Sequence, residues 1–183
     1  TRPNATSRYH QSKWKAEQSV VSSGIPYSIF RPSVVFGPDD EFVNMLARML
    51  QFMPIFPLID SGGAKMQPVY AGDLAKCVVD CLENPAAKNK IFELGGPEKY
   101  TFEQIVDLIK DFKGYSRLKL RIPYKLMFTI SKILENFFWK VPVSIDQLIM
   151  LREDNVCDNS EIEKTFKIKF TSLKEGLKFY WQN

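Results

Sequence analysis

Tyr9-His10-Gln11-Ser12-Lys13-Trp14-Lys15-Ala16-Glu17 opens the stretch that decides the fold, and Arg31-Pro32-Ser33-Val34-Val35-Phe36-Gly37-Pro38 closes it. Between them, Trp14, Ala16, Val20 and Val21 recur among polar residues at helical spacing, and Gly24 follows as a stop, so a helix is predicted over Tyr9 to Ser23. Two short β-type runs come next, Pro26 to Phe30 and Ser33 to Phe36, and the turn cluster Gly37-Pro38-Asp39-Asp40 ends them. A helix leading within a few residues into a buried strand is the rhythm of an α/β protein.

The alternation continues outward from there. Glu41 to Phe52 has a helical pattern, and Met53 to Gly63, punctuated by Pro and Gly, is expected to be a loop. Gln67 to Tyr70 and Lys90 to Leu94 read as strands. Asp73 is expected to cap a helix over Leu74 to Leu82, with Cys77 and Cys81 on one face as core packing. Capping boxes are predicted at Thr101/Gln104, Ser144/Gln147, Ser160/Glu163 and Ser172/Glu175. Leu118, Leu120 and Ile122 alternate with Arg117, Lys119 and Arg121, which predicts a half-buried strand.

Composition excludes several classes. The 183 residues are 45% hydrophobic, 25% charged and 13% aromatic, a globular profile large enough for a hydrophobic core. Twenty-five Lys and Arg against 21 Asp and Glu leave +4, too small an excess to point to nucleic acid. Three cysteines (Cys77, Cys81, Cys157) and one histidine (His10) lack the count and spacing of a disulfide framework or a zinc site, so no metal is expected. The longest apolar run, Met45 to Ile59, contains Arg48, Pro54 and Pro57 and falls short of the roughly 20 residues of a spanning helix.

Tyr9 and Lys13 stand at i, i+4 and so share a helix face, where an ammonium beside a phenol prepares it for proton transfer. The spacing alone is weak, since it recurs at Tyr115 and Lys119. There, however, the pattern is that of a strand, in which residues four apart are too distant to pair. Between Ile122 and Val141, Leu126, Ile130, Ile133, Leu134 and Phe137 follow helical spacing, with Lys125, Lys132, Lys140, Phe138 and Trp139 among them. This describes either a lid helix packed on the core or a surface that rests on an anionic bilayer or a partner. Arg31 reads as an ion-pair residue beside a strand, and Lys164, Lys167 and Lys169 as a solvated face.

These strings, with Ser23-Gly24, Gln67-Pro68-Val69, Asp73-Leu74-Ala75, Glu93-Leu94-Gly95-Gly96-Pro97, Asp146-Gln147-Leu148 and Asp154-Asn155-Val156, resemble the extended and atypical short-chain dehydrogenase/reductases. Within them the likeness is strongest to the NAD-dependent epimerase/dehydratase-like branch that includes the NAD(P)H-binding accessory subunit of respiratory complex I and its bacterial relatives. The resemblance implies the C-terminal part of a Rossmann-type doubly wound parallel sheet with a smaller, mostly helical substrate or lid region. Residues 1–40 would complete the nucleotide-binding domain; residues 41–183 would form the mixed C-terminal region, with the strands near 67–70 and 90–94 rejoining the sheet. Tyr9 would be the catalytic-type tyrosine and Lys13 would hold the nicotinamide ribose, while Pro32, Ser33 and Val35 would line the nicotinamide end of NADP or NAD.

The departures carry information as well. The family's Gly-rich phosphate loop is absent from these residues, and its catalytic serine would precede Thr1. Sugar-nucleotide epimerases place an Asn where Val34 stands and a phosphate-binding Arg near Met66, where Lys65 is no geometric equivalent. The expectation is therefore an accessory or assembly component of respiratory NADH:quinone oxidoreductase. It would be soluble or peripheral, on the cytoplasmic side of a bacterial inner membrane or the mitochondrial matrix side, and its partners would be complex I subunits, the membrane surface, or a dimer mate or complementing N-terminal half. The alternatives are an NAD(P)-dependent oxidoreductase or epimerase with Tyr9 as general acid/base, and an inactive fragment of such a protein.

Overall fold

The computed structural model describes residues 7–60, 62–137 and 145–181. In chain order its elements are α1 (Arg8–Val21), β1 (Ser28–Pro32), β2 (Val35–Phe36), α2 (Phe42–Phe52), β3 (Ile55–Ile59), β4 (Lys65–Met66), β5 (Val69–Tyr70), α3 (Ala71–Glu83), β6 (Lys90–Leu94), β7 (Tyr100–Thr101), α4 (Phe102–Lys113), β8 (Leu118–Ile122), α5 (Tyr124–Phe137), α6 (Ile145–Met150), α7 (Ser160–Phe166) and α8 (Leu173–Trp181). Three strand pairs are parallel: β1 with β6 from Ser28↔Lys90 to Pro32↔Leu94, β2 with β5, and β3 with β8. The fourth, β4 with β7, is antiparallel. Parallel pairs joined through intervening helices make this an α/β fold.

Local chemistry explains the element ends. Ser7 caps α1, accepting from the His10 N–H, and Gly24 turns the chain afterwards at φ +73°. Asp40 accepts from the N–H groups of Gly37, Val43 and Asn44, and so fixes the turn that launches α2. The boxes at Thr101/Gln104 and Ser172/Glu175 form in full. One core gathers Phe36, Leu46, Leu50, Phe56, Ile105, Ile109 and Leu177 between α2, α4 and α8. A second gathers Val69, Cys77, Phe92, Leu94, Ile162 and Phe170 under β6.

Three expectations are corrected. Residues 55–59, predicted as loop, are strand β3 despite Pro57. Asp60 N–H donates to Ile122 O, so odd-numbered residues of β3 turn their nitrogens to the open edge, where a missing N–H costs no ladder bond. β8 forms as expected, with Leu118 and Leu120 74% and 55% exposed and with Lys119 and Arg121 turned toward the acidic side chains of α4. Asp73 lies inside the first turn of α3 and accepts from the Thr171 N–H and hydroxyl at 2.6 and 3.1 Å, which docks α3 to the segment before α8. Ser160 is the first residue of α7 and forms no box, because it is preceded by Asn159 at the cap position. The box at Ser144, together with Phe138, Trp139 and Lys140, lies outside the described residues. Lys164, Lys167 and Lys169 are exposed, as the pattern suggested.

Candidate functional site

The parallel strands set the location of the site. Crevices in such sheets open beyond the carboxyl ends of the strands, and here the chain leaves β1 through Pro32, Ser33 and Val34 before entering β2. A cavity of about 950 Å³ lies there, walled by one face of α1, the 29–35 segment, and residues 150 and 153–157. Tyr9, Lys13, Pro32, Ser33 and Val35 all line it. Tyr9 is half-exposed, and the Lys13 ammonium stands 5.7 Å from the centre of the Tyr9 ring, one helical turn away.

A buried ion pair holds α1 in place. Arg31 Nε donates to Glu17 Oε2 at 2.9 Å and its Nη2 pairs with Glu17 Oε1, a two-pronged contact between β1 and a carboxylate only 6% exposed. Glu93 on β6 adds a longer contact of 3.7 Å. The Glu17 hydrogen bond, opposed by burial and helped by Glu93, raises the Arg31 pKa above its ordinary value. The angle at which Tyr9 and Lys13 meet the sheet therefore depends on this pair.

The opposite wall is stitched by amides. The Ser33 hydroxyl donates to Asn155 O at 2.7 Å and accepts from the Gln67 N–H, so its proton is committed within the wall. The buried Gln67 side chain donates to Gly96 O at 2.7 Å and accepts from the Cys157 N–H at 2.9 Å. Asn159 exchanges two hydrogen bonds with the backbone of Gly95, each 2.8 Å. A Cβ at Gly96 would run into Pro68 O, so glycine is required where β6 ends against this strand. Burial, reinforced by Glu93, pushes the Cys157 thiol up to about 11, so at neutral pH it is a protonated wall residue and no nucleophile. Among the described residues no three His, Cys, Asp or Glu side chains are placed to hold a metal ion.

Gln67, Asn155, Asn159 and Glu17 were not singled out from the sequence. Glu17, Gln67 and Asn155 do fall within the quoted strings, but only the three-dimensional fold joins positions 67, 96 and 157. Tyr115, by contrast, lies away from this cavity, with Arg117 over its ring at 5.6 Å.

Comparison with known proteins supplies the family and the fold. The model of the NAD dependent epimerase/dehydratase family matches residues 1–95. The chain belongs to that family. Among curated relatives of this epimerase/dehydratase chain, it is 32% identical over 153 residues to "NADH dehydrogenase (ubiquinone) 1 alpha subcomplex subunit 9, mitochondrial" of Dictyostelium discoideum, covering 82% of this chain and 43% of the relative. It is 25% identical over 170 residues to a Photosystem II assembly factor of Trieres chinensis, covering 90% of this chain and 52% of that protein. The chain thus spans about half the length, or less, of these relatives. Among solved structures, the dTDP-glucose 4,6-dehydratase of Bacillus anthracis, in complex with NAD, superposes with a TM-score of 0.70 at 14% identity, over 97% of this chain and 51% of that one. The fold is that of a Rossmann-type α/β protein, matched over about half of the neighbour's length.

Proposed function

We propose that this epimerase/dehydratase chain is an NAD(P)(H)-binding accessory or assembly component of respiratory NADH:quinone oxidoreductase, acting on the mitochondrial matrix side or the equivalent bacterial cytoplasmic side. The observation that carries it is the convergence of Tyr9, Lys13, Pro32, Ser33 and Val35 on one cavity, in a chain whose curated relatives include a subunit bearing that enzyme's name. The likeness to an assembly factor adds the assembly role.

The residues fit the nicotinamide end of a dinucleotide. The volume lies within the range of ligand pockets, and the walls combine apolar Pro32, Val34, Val35 and Val156 with a few convergent polar groups. Lys13 would donate to the ribose hydroxyls, Tyr9 would hold a proton at its phenol oxygen beside them, and Pro32 and Val35 would exclude water from the ring. A bound nicotinamide would supply hydride chemistry; in the accessory role it stabilises the native state by binding to it. Neither Val34 nor Met66 supplies a hydrogen-bonding or charged group, which disfavours a sugar-nucleotide substrate.

Native electrophoresis of membranes expressing the tagged protein, with in-gel NADH oxidation, tests the assignment. Comigration of the tag with the oxidoreductase is expected, together with fluorescence-detected NADPH binding that Lys13→Met weakens at least tenfold. A tag found only in free fractions overturns it. The half-exposed Tyr9 phenol favours one second reading, an NAD(P)-dependent oxidoreductase or epimerase with Tyr9 as general acid/base. Under that reading, hydride transfer disappears in Tyr9→Phe; under the accessory reading, bound cofactor shows no turnover in either form.

A further inference from the structure

We propose that the outer face of α5 is a lipid-docking surface that seats this protein on an anionic bilayer. Leu126, Ile130 and Ile133, at i, i+4 and i+7, form one stripe along the helix, and they are 52%, 40% and 53% exposed. A lid helix packed on the core would have buried them. The helix is instead anchored by its other side. Ser131 is buried, Tyr124 and Phe128 pack with ring centres 5.8 Å apart, and the Arg152 guanidinium lies 4.4 Å over the Tyr124 ring. The aliphatic stripe is thus held outward by tertiary contacts.

Charge identifies the occupant. From Arg117 to the end of α5 the chain carries five cations, Arg117, Lys119, Arg121, Lys125 and Lys132, against one acid, Glu135. Lys119 and Arg121 are neutralised by α4, whereas Lys125 and Lys132 are exposed. At 100° per residue both lysines fall on one flank of the stripe, where their stems can lie along the apolar surface and their heads reach lipid phosphates. Lysine is depleted at the cores of protein interfaces and aromatic anchors dominate them, while aliphatic residues bordered by lysine match a lipid surface. In the preceding strand Leu118 and Leu120 are exposed as well, and Ile55 stands in register beside Leu118. No described helix is long and apolar enough to cross a membrane, so attachment by this face is interfacial.

Cosedimentation of the 183-residue protein with vesicles of phosphatidylcholine, with and without 30% phosphatidylglycerol, tests the proposal in nucleotide-free buffer. Its outcome is therefore independent of the cofactor assignment. Binding is expected to the anionic vesicles, to weaken about tenfold or more on neutral ones, and to fall in 0.5 M salt. Lys125→Gln with Lys132→Gln should cut partitioning by roughly twentyfold, and Leu126→Asp with Ile130→Asp should abolish it. Both pairs are exposed, and unchanged circular dichroism confirms folding. Absence of binding, or equal binding by the variants, overturns the proposal. So does a concentration-dependent dimer that these substitutions make monomeric, which would assign the face to a second copy.

Discussion

Glu17 is the only charged side chain among the described residues that is buried outright, and Arg31 answers it with two donors. Burying an ion pair contributes little net stability, but removing Arg31 takes two charge-assisted hydrogen bonds from a carboxylate that is largely shielded from water. Arg31→Ala should therefore destabilise the fold by about 1–3 kcal/mol, and Arg31→Lys should recover little of it, since an ammonium cannot present the two-pronged fork. Urea midpoints measure this, and a loss below about 0.5 kcal/mol would mean that the Arg31 fork adds nothing to the fold. Because α1 also carries Tyr9 and Lys13, both variants should weaken nucleotide binding more than an equally destabilising change in the second core.

At the scale of elements, α4 and β8 are joined by charge. The Lys119 ammonium reaches Glu103 at 2.6 Å and Asp107 at 2.8 Å, and Arg121 reaches Glu103 at 3.1 Å. The Lys119 hydrogen bond lowers the Glu103 pKa; at Asp107 burial pulls upward, but the bonds from Lys119 and Lys110 outweigh it and the net shift is downward. A carboxylate whose folded pKa is depressed stabilises the fold above its unfolded value, near 4, and that contribution vanishes as the pH falls through the lower, folded value. Lys119→Met should therefore cost about 1–2 kcal/mol at pH 7 and flatten the acid limb below about pH 4; urea midpoints at pH 7, 5, 4 and 3 that run parallel in the two proteins would contradict it. The same contact explains what the sequence left illegible. Alternation along residues 118–122 announced a strand but not which side faces inward, and the acids of α4 decided that. Where the signal was local, as in the boxes at Thr101 and Ser172 or the run from Lys90 to Leu94, the reading matched the structure. Where a side chain is drawn into a distant contact, as Asp73 to Thr171 or Asn159 to Gly95, the local rule yielded to the tertiary one. Pro57 hid β3 because a proline argues against a strand only where its nitrogen faces a partner.

For the whole molecule, the five site residues named from short strings line one cavity, while the amides and the ion pair that hold its walls came to light only with the fold. The nine glycines include no G-x-G-x-x-G spacing, so these 183 residues lack the backbone cradle that brings a helix N-terminus to a pyrophosphate. The proposed contacts, Lys13 to the ribose and Pro32 and Val35 to the ring, all fall on the nicotinamide half of the ligand. Binding energy available to this chain alone should then come almost entirely from that half. Reduced nicotinamide mononucleotide and NADPH should bind the 183-residue protein within about fivefold of each other, a difference of about 1 kcal/mol, and Lys13→Met should weaken both by the same factor. Competition titrations followed by nicotinamide fluorescence decide the matter. An NADPH affinity a hundredfold tighter than that of the mononucleotide would place the adenosine and phosphate contacts within these residues and overturn the assignment of the cavity to the nicotinamide end alone. Equal affinities would mean that the selectivity and strength of dinucleotide binding reside in contacts these 183 residues do not provide.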